Sequence, residues 1–340
     1  MGRKINDSYV LAKTDLSNLT GGETLKVEWD TVNNGNLHWK DVDESSLEVT
    51  PAVWYGGRGV FGGGAIRLNV IEYITISTTS NSTDFGDLVT GRENLGGLSN
   101  GTRGVFGGGS YNVTMEYITI STTSNTTDFG DLNYGSPSYN VEGSCNGTRG
   151  IFQGGHYSAT NVLDYITVAS TGNAISFGAL SVDRYYPGSL GDATRAVFGG
   201  GDTGGATKVN TMDYVSYDTT GNATDFGNLT VSRNYCPGAS DTTRGIFAGG
   251  TGPIDVMDYI TIQTTGNATD FGNQSVARFG SGACSSSVRG VWAGGCCGYS
   301  DVIDYVTIST TSNATDFGDL TVGRQWVAGC SSGSRGLIGG

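Results

Sequence analysis

The sequence predicts an all-β protein, a seven-bladed β-propeller with four-stranded blades. Three observations predict it: a unit repeated at a period near 46 residues, four short strands in each unit, and complementary half-units at the chain ends. An arginine before a glycine-rich strand recurs at Arg58, Arg103, Arg149, Arg195, Arg244, Arg289 and Arg335, at intervals of 45, 46, 46, 49, 45 and 46 residues. Regular self-similarity of this length marks stacked supersecondary units that cannot bury their apolar faces alone.

The unit around Arg244 shows the four strands in order: SRNYCPGAS (a), TRGIFAGG (b), VMDYITIQTT (c) and ATDFGNQSV (d). They are rich in β-branched and aromatic residues and are separated by Gly, Asn and Thr turns. Strand c carries an acidic–Tyr pair, at Tyr73, Tyr117, Tyr165, Tyr214, Tyr259 and Tyr305. Strand d carries Phe-Gly, at Phe85, Phe129, Phe177, Phe226, Phe271 and Phe317. Apolar residues on both faces of strands such as DYITI suit blades packed on each side by a neighbour. Glycine, 57 of 340 residues, fits many tight turns, and no collagen period accompanies it.

Seven arginine strands but six Tyr/Phe strands leave half a unit to be found. The N-terminal TLKVEWDT and NLHWKDV read as strands c and d, with Trp39 in the place of Phe. QWVAGCSSGS and RGLIGG at the C-terminus read as a and b. The ring is therefore expected to close through strands at about 24–42 joining strands at about 325–340, which leaves no open sheet edge. Residues 1–20 are expected to form an N-terminal docking arm and residues 21–340 a single propeller domain.

The order of Arg, hydrophobic strand, Gly-Gly, acidic-Tyr strand and aromatic strand resembles the Kelch β-propeller repeat, as in TRGIFAGG with VMDYITI and RGVWAGG with VIDYVTI. It departs from that repeat in using Phe-Gly for the usual Trp and in placing the acid before Tyr. The wording TTGNATDFGNL resembles repeats in virion-associated proteins of marine tailed bacteriophages. That resemblance implies a non-enzymatic structural or adhesion component of a virion (tail, fibre or capsid-associated), present in many copies. Its implied partners are other virion or appendage proteins or a host-surface glycan. A lectin-type, carbohydrate-binding propeller is the alternative.

The charge balance, 19 basic against 32 acidic side chains, repels phosphate backbones and argues against nucleic-acid binding. No apolar run approaches a membrane span, and MGRKINDSYVLAK lacks the apolar core of a signal peptide. Synthesis in a host cytoplasm and residence in the virion are therefore expected. Kelch-like propellers include copper oxidases, but the only histidines are His38 and His156, on separate segments. No Ser-His-Asp set can be assembled from them, so no enzyme, metal site or cofactor is expected, with a carboxylate-only site left open. The Asp and Asn of TDFGD turns are read as turn acceptors rather than calcium ligands. The six cysteines lack a CxxC pair, which argues against a structural zinc site, and Cys145, Cys284 and Cys330, which share one repeated slot, are read as buried free thiols. For the repeated arginines two readings stand: a ring binding an anion, or pairing with carboxylates such as the second Asp of DFGD.

The c–d turns are nearly uniform, whereas the b–c loops and d–a segments differ from blade to blade and share one face of a propeller. That variable face, rich in Tyr, is the candidate binding surface. Its residues are Tyr111, His156, Tyr157 and Tyr299 in b–c loops and Tyr185, Tyr186, Tyr235, Phe279 and Trp326 in d–a segments. Replacing Tyr111, Tyr157 or Tyr299 with Ala is expected to abolish partner binding without shifting thermal unfolding. Unchanged affinity for every partner would overturn the assignment.

Overall fold

Short β-branched runs between Gly and Asn turns become strands because a blade offers each run a partner on either side. The computed structural model describes residues 57–64, 66–133, 141–154, 161–296 and 298–340, together with four short strands nearer the N-terminus. The chain divides into two compact units, Met1–Val53 and Trp54–Gly340.

In the first unit β1 (Arg3–Ile5) pairs with β2 (Ser8–Val10), and β3 (Asp30–Val32) pairs with β4 (Asn36–His38), both antiparallel. In the second unit, blade 1 contains β5 (Arg58–Gly62), β6 (Val70–Thr75) and β7 (Thr83–Asp87). Blade 2 is β8 (Gly96–Ser99), β9 (Arg103–Gly107), β10 (Thr114–Thr119) and β11 (Thr127–Asp131). Blade 3 is β12 (Glu142–Cys145), β13 (Arg149–Gln153), β14 (Val162–Thr167) and β15 (Ile175–Ala179). Blade 4 is β16 (Gly188–Gly191), β17 (Arg195–Gly199), β18 (Thr211–Ser216) and β19 (Thr224–Asn228). Blade 5 is β20 (Gly238–Ser240), β21 (Arg244–Ala248), β22 (Val256–Thr261) and β23 (Thr269–Asn273). Blade 6 is β24 (Gly282–Ser285), β25 (Arg289–Ala293), β26 (Val302–Thr307) and β27 (Thr315–Asp319). The chain ends in a two-stranded half-blade, β28 (Ala328–Ser331) with β29 (Gly336–Gly339).

The a strands of consecutive blades lie side by side, so they are innermost. Along strand b, Gly62 faces the ring of Phe106, Gly107 that of Phe152 and Gly199 that of Phe247. Gly339 of the half-blade faces Phe61 of blade 1 in the same way, so the half-blade closes the circle of inner strands.

The expected seventh blade is corrected by this architecture: the described residues form six blades and a half-blade. β3 and β4, which fall inside the expected closing segment, pair with each other in a sheet of their own. The physical reason lies in sequence separation. The pairing of Asp30 with His38, Thr31 with Leu37 and Val32 with Asn36 satisfies the backbone groups of both strands locally, without a partner from the far end of the chain.

Two devices hold the blades together. The first is the Phe-Gly bulge of strand d. Register between strands c and d shifts just before the acidic residue, for example between Met212 and Glu-equivalent Asp213, so Phe226 has no opposing residue. Gly227 then has φ +135°, and a Cβ there would run into the backbone of Gly266 in the next blade's c–d turn. The freed Phe packs between blades, and Phe85, Phe129, Phe177, Phe226 and Phe271 are all buried. Each such side chain contributes roughly 1.5–3 kcal/mol by burial. Turn asparagines add cross-blade bonds: the Asn125, Asn173, Asn267 and Asn313 Oδ1 atoms accept the N–H groups of Asp87, Asp131, Asn228 and Asn273. Asp225, Asp270 and Asp316 accept the N–H two residues on, the turn role expected of them.

The second device was not foreseen. Arg92, Arg184, Arg233 and Arg278, in the d–a segments, pair with Glu116, Asp213, Asp258 and Asp304, the acids that precede the strand-c tyrosines. The last three pairs span 2.9, 2.7 and 2.8 Å, and every partner is buried. Burial lowers the pKa of Arg92, Arg184 and Arg278, and the facing carboxylate opposes that shift. Asp164 of blade 3 breaks the series: it is fully buried, and residues 134–140 (YGSPSYN) supply no arginine or lysine.

The strand-b arginines correct both readings offered for them. Arg58, Arg103, Arg149, Arg195, Arg244 and Arg289 stack on the tyrosine of their own blade at 4.0–4.5 Å from the ring centre. The first five also donate to a carbonyl at the end of strand c in the next blade, Ile120, Val168, Tyr217, Ile262 and Ile308. They are inter-blade ties rather than an anion ring or carboxylate partners, because the tyrosine ring and an open carbonyl lie within their reach.

Removing one partner of a buried ion pair strands the other charge. Asp258→Ala is expected to destabilise the protein by about 3–5 kcal/mol in denaturant unfolding. Asp164→Asn, which leaves no arginine behind, is expected to be neutral or stabilising in the same measurement.

Candidate functional site: an aromatic cluster over the ring axis

The d–a arginines organise one face of the ring. While the Arg233 guanidinium reaches Asp258 in blade 5, its backbone N–H donates to Val209 and its carbonyl accepts from Gly201, both in the b–c loop of blade 4. Arg92, Arg278 and Arg324 make the same backbone pair with the loops at Gly64, Gly250 and Gly295. The d–a segments at Arg92, Arg233, Arg278 and Arg324 are thereby clamped next to a b–c loop. Backbone bonds Ser110 to Glu93, Thr251 to Asn234 and Cys296 to Phe279 continue this contact. The two variable segments thus share one face, as the sequence suggested.

Two residues after each clamping arginine the backbone turns left-handed: φ is +58° at Asn94, +57° at Tyr186, +53° at Tyr235, +64° at Gly280 and +59° at Trp326. Asn and Gly adopt this region readily, whereas for aromatic residues it costs roughly 1–3 kcal/mol and persists only where surroundings enforce it. The strain aims rings inward. Tyr186 stacks on Tyr235 with centres 3.9 Å apart and planes at 28°. Tyr185 packs edge-on to Tyr186 at 4.8 Å, and Phe279 meets Trp326 at 5.7 Å. Tyr235 also touches Trp326 at 4.9 Å, although their segments belong to seams two blades apart. Only side chains near the axis can make that contact, so five of the expected site residues form one cluster over the channel mouth.

The cluster covers part of the circle, since the equivalent segment before blade 2 carries Glu93 and Asn94. Its rings are half-buried apart from Trp326, which is 49% exposed. Polar groups rim it. Burial, the charge of Asp202 and a hydrogen bond to that carboxylate raise the Tyr185 pKa, Thr251 bonds to Asn234, and Lys208 Nζ donates to the Thr251 carbonyl at 2.6 Å. Stacked rings with a polar rim suit the apolar face of a sugar or an aromatic or cationic side chain.

Tyr111 and Tyr299 stand on b–c loops of the same face, 42% and 63% exposed. His156 and Tyr157 lie outside the described residues, as do Cys297 and residues 134–140. Cys145, Cys236, Cys284 and Cys330 are free thiols. Burial pushes Cys145 and Cys284 up to about 11 and Cys330 to about 12, which suppresses thiolate reactivity.

Sequence reasoning missed Glu142. It sits on β12, an innermost strand, beside Ser189 of β16, and burial lifts its pKa to about 7 against a weaker opposing hydrogen bond from Ser189. No local motif marks it, because its environment is made by the neighbouring blade.

No family model matches the chain, and no curated protein matches it. Among solved structures it is similar to YjhT, described as "Structure of YjhT", with a TM-score of 0.58 at 10% identity. The match covers 70% of this chain and 87% of that one. The chain is a β-propeller. The likeness also overturns the expectation that this protein is not an enzyme: that exclusion rested on two histidines on separate segments and the lack of a Ser-His-Asp set, and an architecture shared with YjhT gives no ground for excluding catalysis.

The raised pKa of Glu142 carries a sign. Between the ordinary 4.5 and about 7 the folded state holds more protons than the unfolded one, so stability falls as pH rises through that window. Glu142→Gln is expected to remove this part of the decline and to raise the melting temperature at pH 8 relative to the parent. Melting curves from pH 4 to 8 check it.

Proposed function

We propose that this propeller is a recognition module whose aromatic cluster of Tyr185, Tyr186, Tyr235, Phe279 and Trp326 binds a partner over the ring axis. The observation that carries the proposal is the left-handed backbone at Tyr186, Tyr235 and Trp326. Strain at three equivalent positions, each turning a ring toward the others, is a feature folding alone does not require, since Asn94 and Gly280 fill the same slot without it. In this reading the ring has a sevenfold, Kelch-like organisation. The protein serves as a structural or adhesion component of a bacteriophage virion, present in many copies and contacting a neighbouring subunit or the host surface. The wording of the c–d repeats supports the virion assignment, and the acidic balance of the chain fits a partner other than nucleic acid.

A second reading, a lectin-type site, is favoured by the polar rim of Asp202, Asn234 and Thr251 beside stacked rings. The two are compatible, because an adhesion component can recognise its host through a glycan.

Mass spectrometry of purified particles tests the virion assignment, and a glycan array tests the lectin reading. Tyr235→Ala is expected to reduce affinity at least ~30-fold, the scale of an aromatic hot spot, while leaving the unfolding midpoint nearly unchanged. Binding that survives both Tyr235→Ala and Trp326→Ala would overturn the assignment of the site.

A further inference from the structure

Blade 3 departs from its neighbours at one pair of facing residues. The first residue of the inner strand lies opposite the last residue of strand b, and elsewhere this pair is small and uncharged. It is Gly96 with Gly107, Gly188 with Gly199, Gly282 with Ala293 and Ala328 with Gly339, and in blade 5 Pro237 accepts from Ala248. A Cβ added at Gly96, Gly107, Gly188 or Gly199 would come within 3.0 Å of the following blade. In blade 3 the pair is Glu142 with Gln153. Paired residues of an antiparallel ladder point to one face of the sheet, so carboxylate and amide stand side by side toward blade 4. Their contacts agree: Glu142 bonds to the Ser189 side chain of β16, and Gln153 Nε2 donates to the Arg184 carbonyl at 3.0 Å.

The fold accounts for half of this pair. Gln153 gives Arg184 the bond that a loop glycine gives Arg92, Arg233, Arg278 and Arg324. Its Oε1, however, is buried and meets no donor among the described residues. Glu142 is half-buried, and it meets the Ser189 hydroxyl but no cation. Two acceptors short of donors therefore stand together, one of them charged. They stand at the edge of the aromatic cluster. Ser189 follows Tyr186, the ring stacked on Tyr235, by three residues, at most ~11 Å of chain. On the other side the Val141 N–H donates to the carbonyl of Asn94, in the segment that lacks an aromatic residue.

We propose that Glu142 and Gln153 receive the terminal ammonium of a lysine side chain presented by the partner of the aromatic cluster. The proposal rests on the cluster being the binding surface. A primary ammonium brings three N–H donors and a positive charge, which are what a carboxylate and a lone amide oxygen lack. The lysine stem is apolar and suits a path along Tyr186 and Tyr235, whose ring faces also attract the charge. A neutral glycan would leave the carboxylate desolvated and uncompensated. Asp202, which accepts from the Tyr185 hydroxyl, adds negative charge on this side, while the Lys208 ammonium is engaged by the Thr251 carbonyl. From β8, β13 and β16 the neighbours of this end of β12 are Gly97, Gln153 and Ser189, none of them charged. Burial without a cation raises the Glu142 pKa to about 7, and an arriving ammonium would favour the ionised form.

NMR titration of the full chain with acetyl-Gly-Lys-Gly-amide, and with the same peptide carrying norleucine for lysine, tests this. The lysine peptide is expected to bind at least ~10-fold more tightly, the scale of a charge-assisted hydrogen bond. Its affinity should rise about 10-fold between pH 6 and pH 8, following the ionised fraction of Glu142. In Glu142→Gln the two peptides should bind alike at every pH, and Glu142→Asp, which keeps the charge, should retain part of the preference. Equal binding of both peptides to the parent, or a preference that survives Glu142→Gln, would overturn the proposal. Two outcomes separate it from the site on which it rests. Shifts at Tyr235 and Trp326 without a lysine preference would overturn the lysine and leave the aromatic site standing. A Glu142-dependent preference that survives Tyr235→Ala and Trp326→Ala would support the ammonium site and overturn the cluster as the partner's surface. n-Butylamine identifies the source: if it binds as tightly as the lysine peptide, the site belongs to a free amine and the protein partner is overturned.

Discussion

The structure depends on the seam between blades. A four-stranded blade has two apolar faces and no core of its own, so each is stable only against its neighbours. Here the seam is built from a bulged Phe-Gly that frees one aromatic side chain to lie between sheets, and from a buried arginine that reaches into the following blade while its backbone grips the loop of the preceding one. A desolvated guanidinium is tolerated because a carboxylate and strand carbonyls surround it; Arg233 meets Asp258 and the carbonyls of Phe247 and Val256. The bond is directional, so it sets the position of the d–a segment as well as the distance between blades.

The candidate site follows from that placement. A segment clamped at both ends can hold a tyrosine or tryptophan in a left-handed conformation that an untethered loop would relax. Site and scaffold are therefore coupled through the same arginines: the residue that ties two blades lies two positions from the ring that faces the axis. The candidate face is the one where the repeats are unlike each other, and the opposite face keeps one turn because the preceding blade's Phe-Gly bulge needs it.

Much of this was legible in the sequence. The strand-b arginines, the tyrosines and the Phe-Gly pairs recur at regular intervals, and each interval reports a local strand order that any blade must repeat. Loop and segment variability pointed to the face on which Tyr186, Tyr235 and Trp326 meet. The second arginine series was harder to read, because its copy between Asn133 and Glu142 is absent and the interval is broken there. Its acidic partners stand 24 to 29 residues further on and had been assigned no role beyond accompanying the tyrosines. The elevated pKa of Glu142 left no trace in the sequence, since a neighbouring blade creates its environment.

By itself the sequence determined the repeat, the four strands of a blade, the turn chemistry and the face free to vary. These are short-range properties, decided by hydrophobic alternation, bulge-forming glycine and turn-forming asparagine within one unit of about 46 residues. Only the tertiary structure decided which charges pair, that strand-b arginines stack on tyrosines instead of gathering as an anion site, that the described residues make six blades with a half-blade between the last and the first, and that rings from seams two blades apart touch at the axis. Those outcomes depend on contacts between units, and a repeated sequence says little about them because every copy offers the same surface to either neighbour. The ring, by fixing which neighbour each copy has, removes that ambiguity.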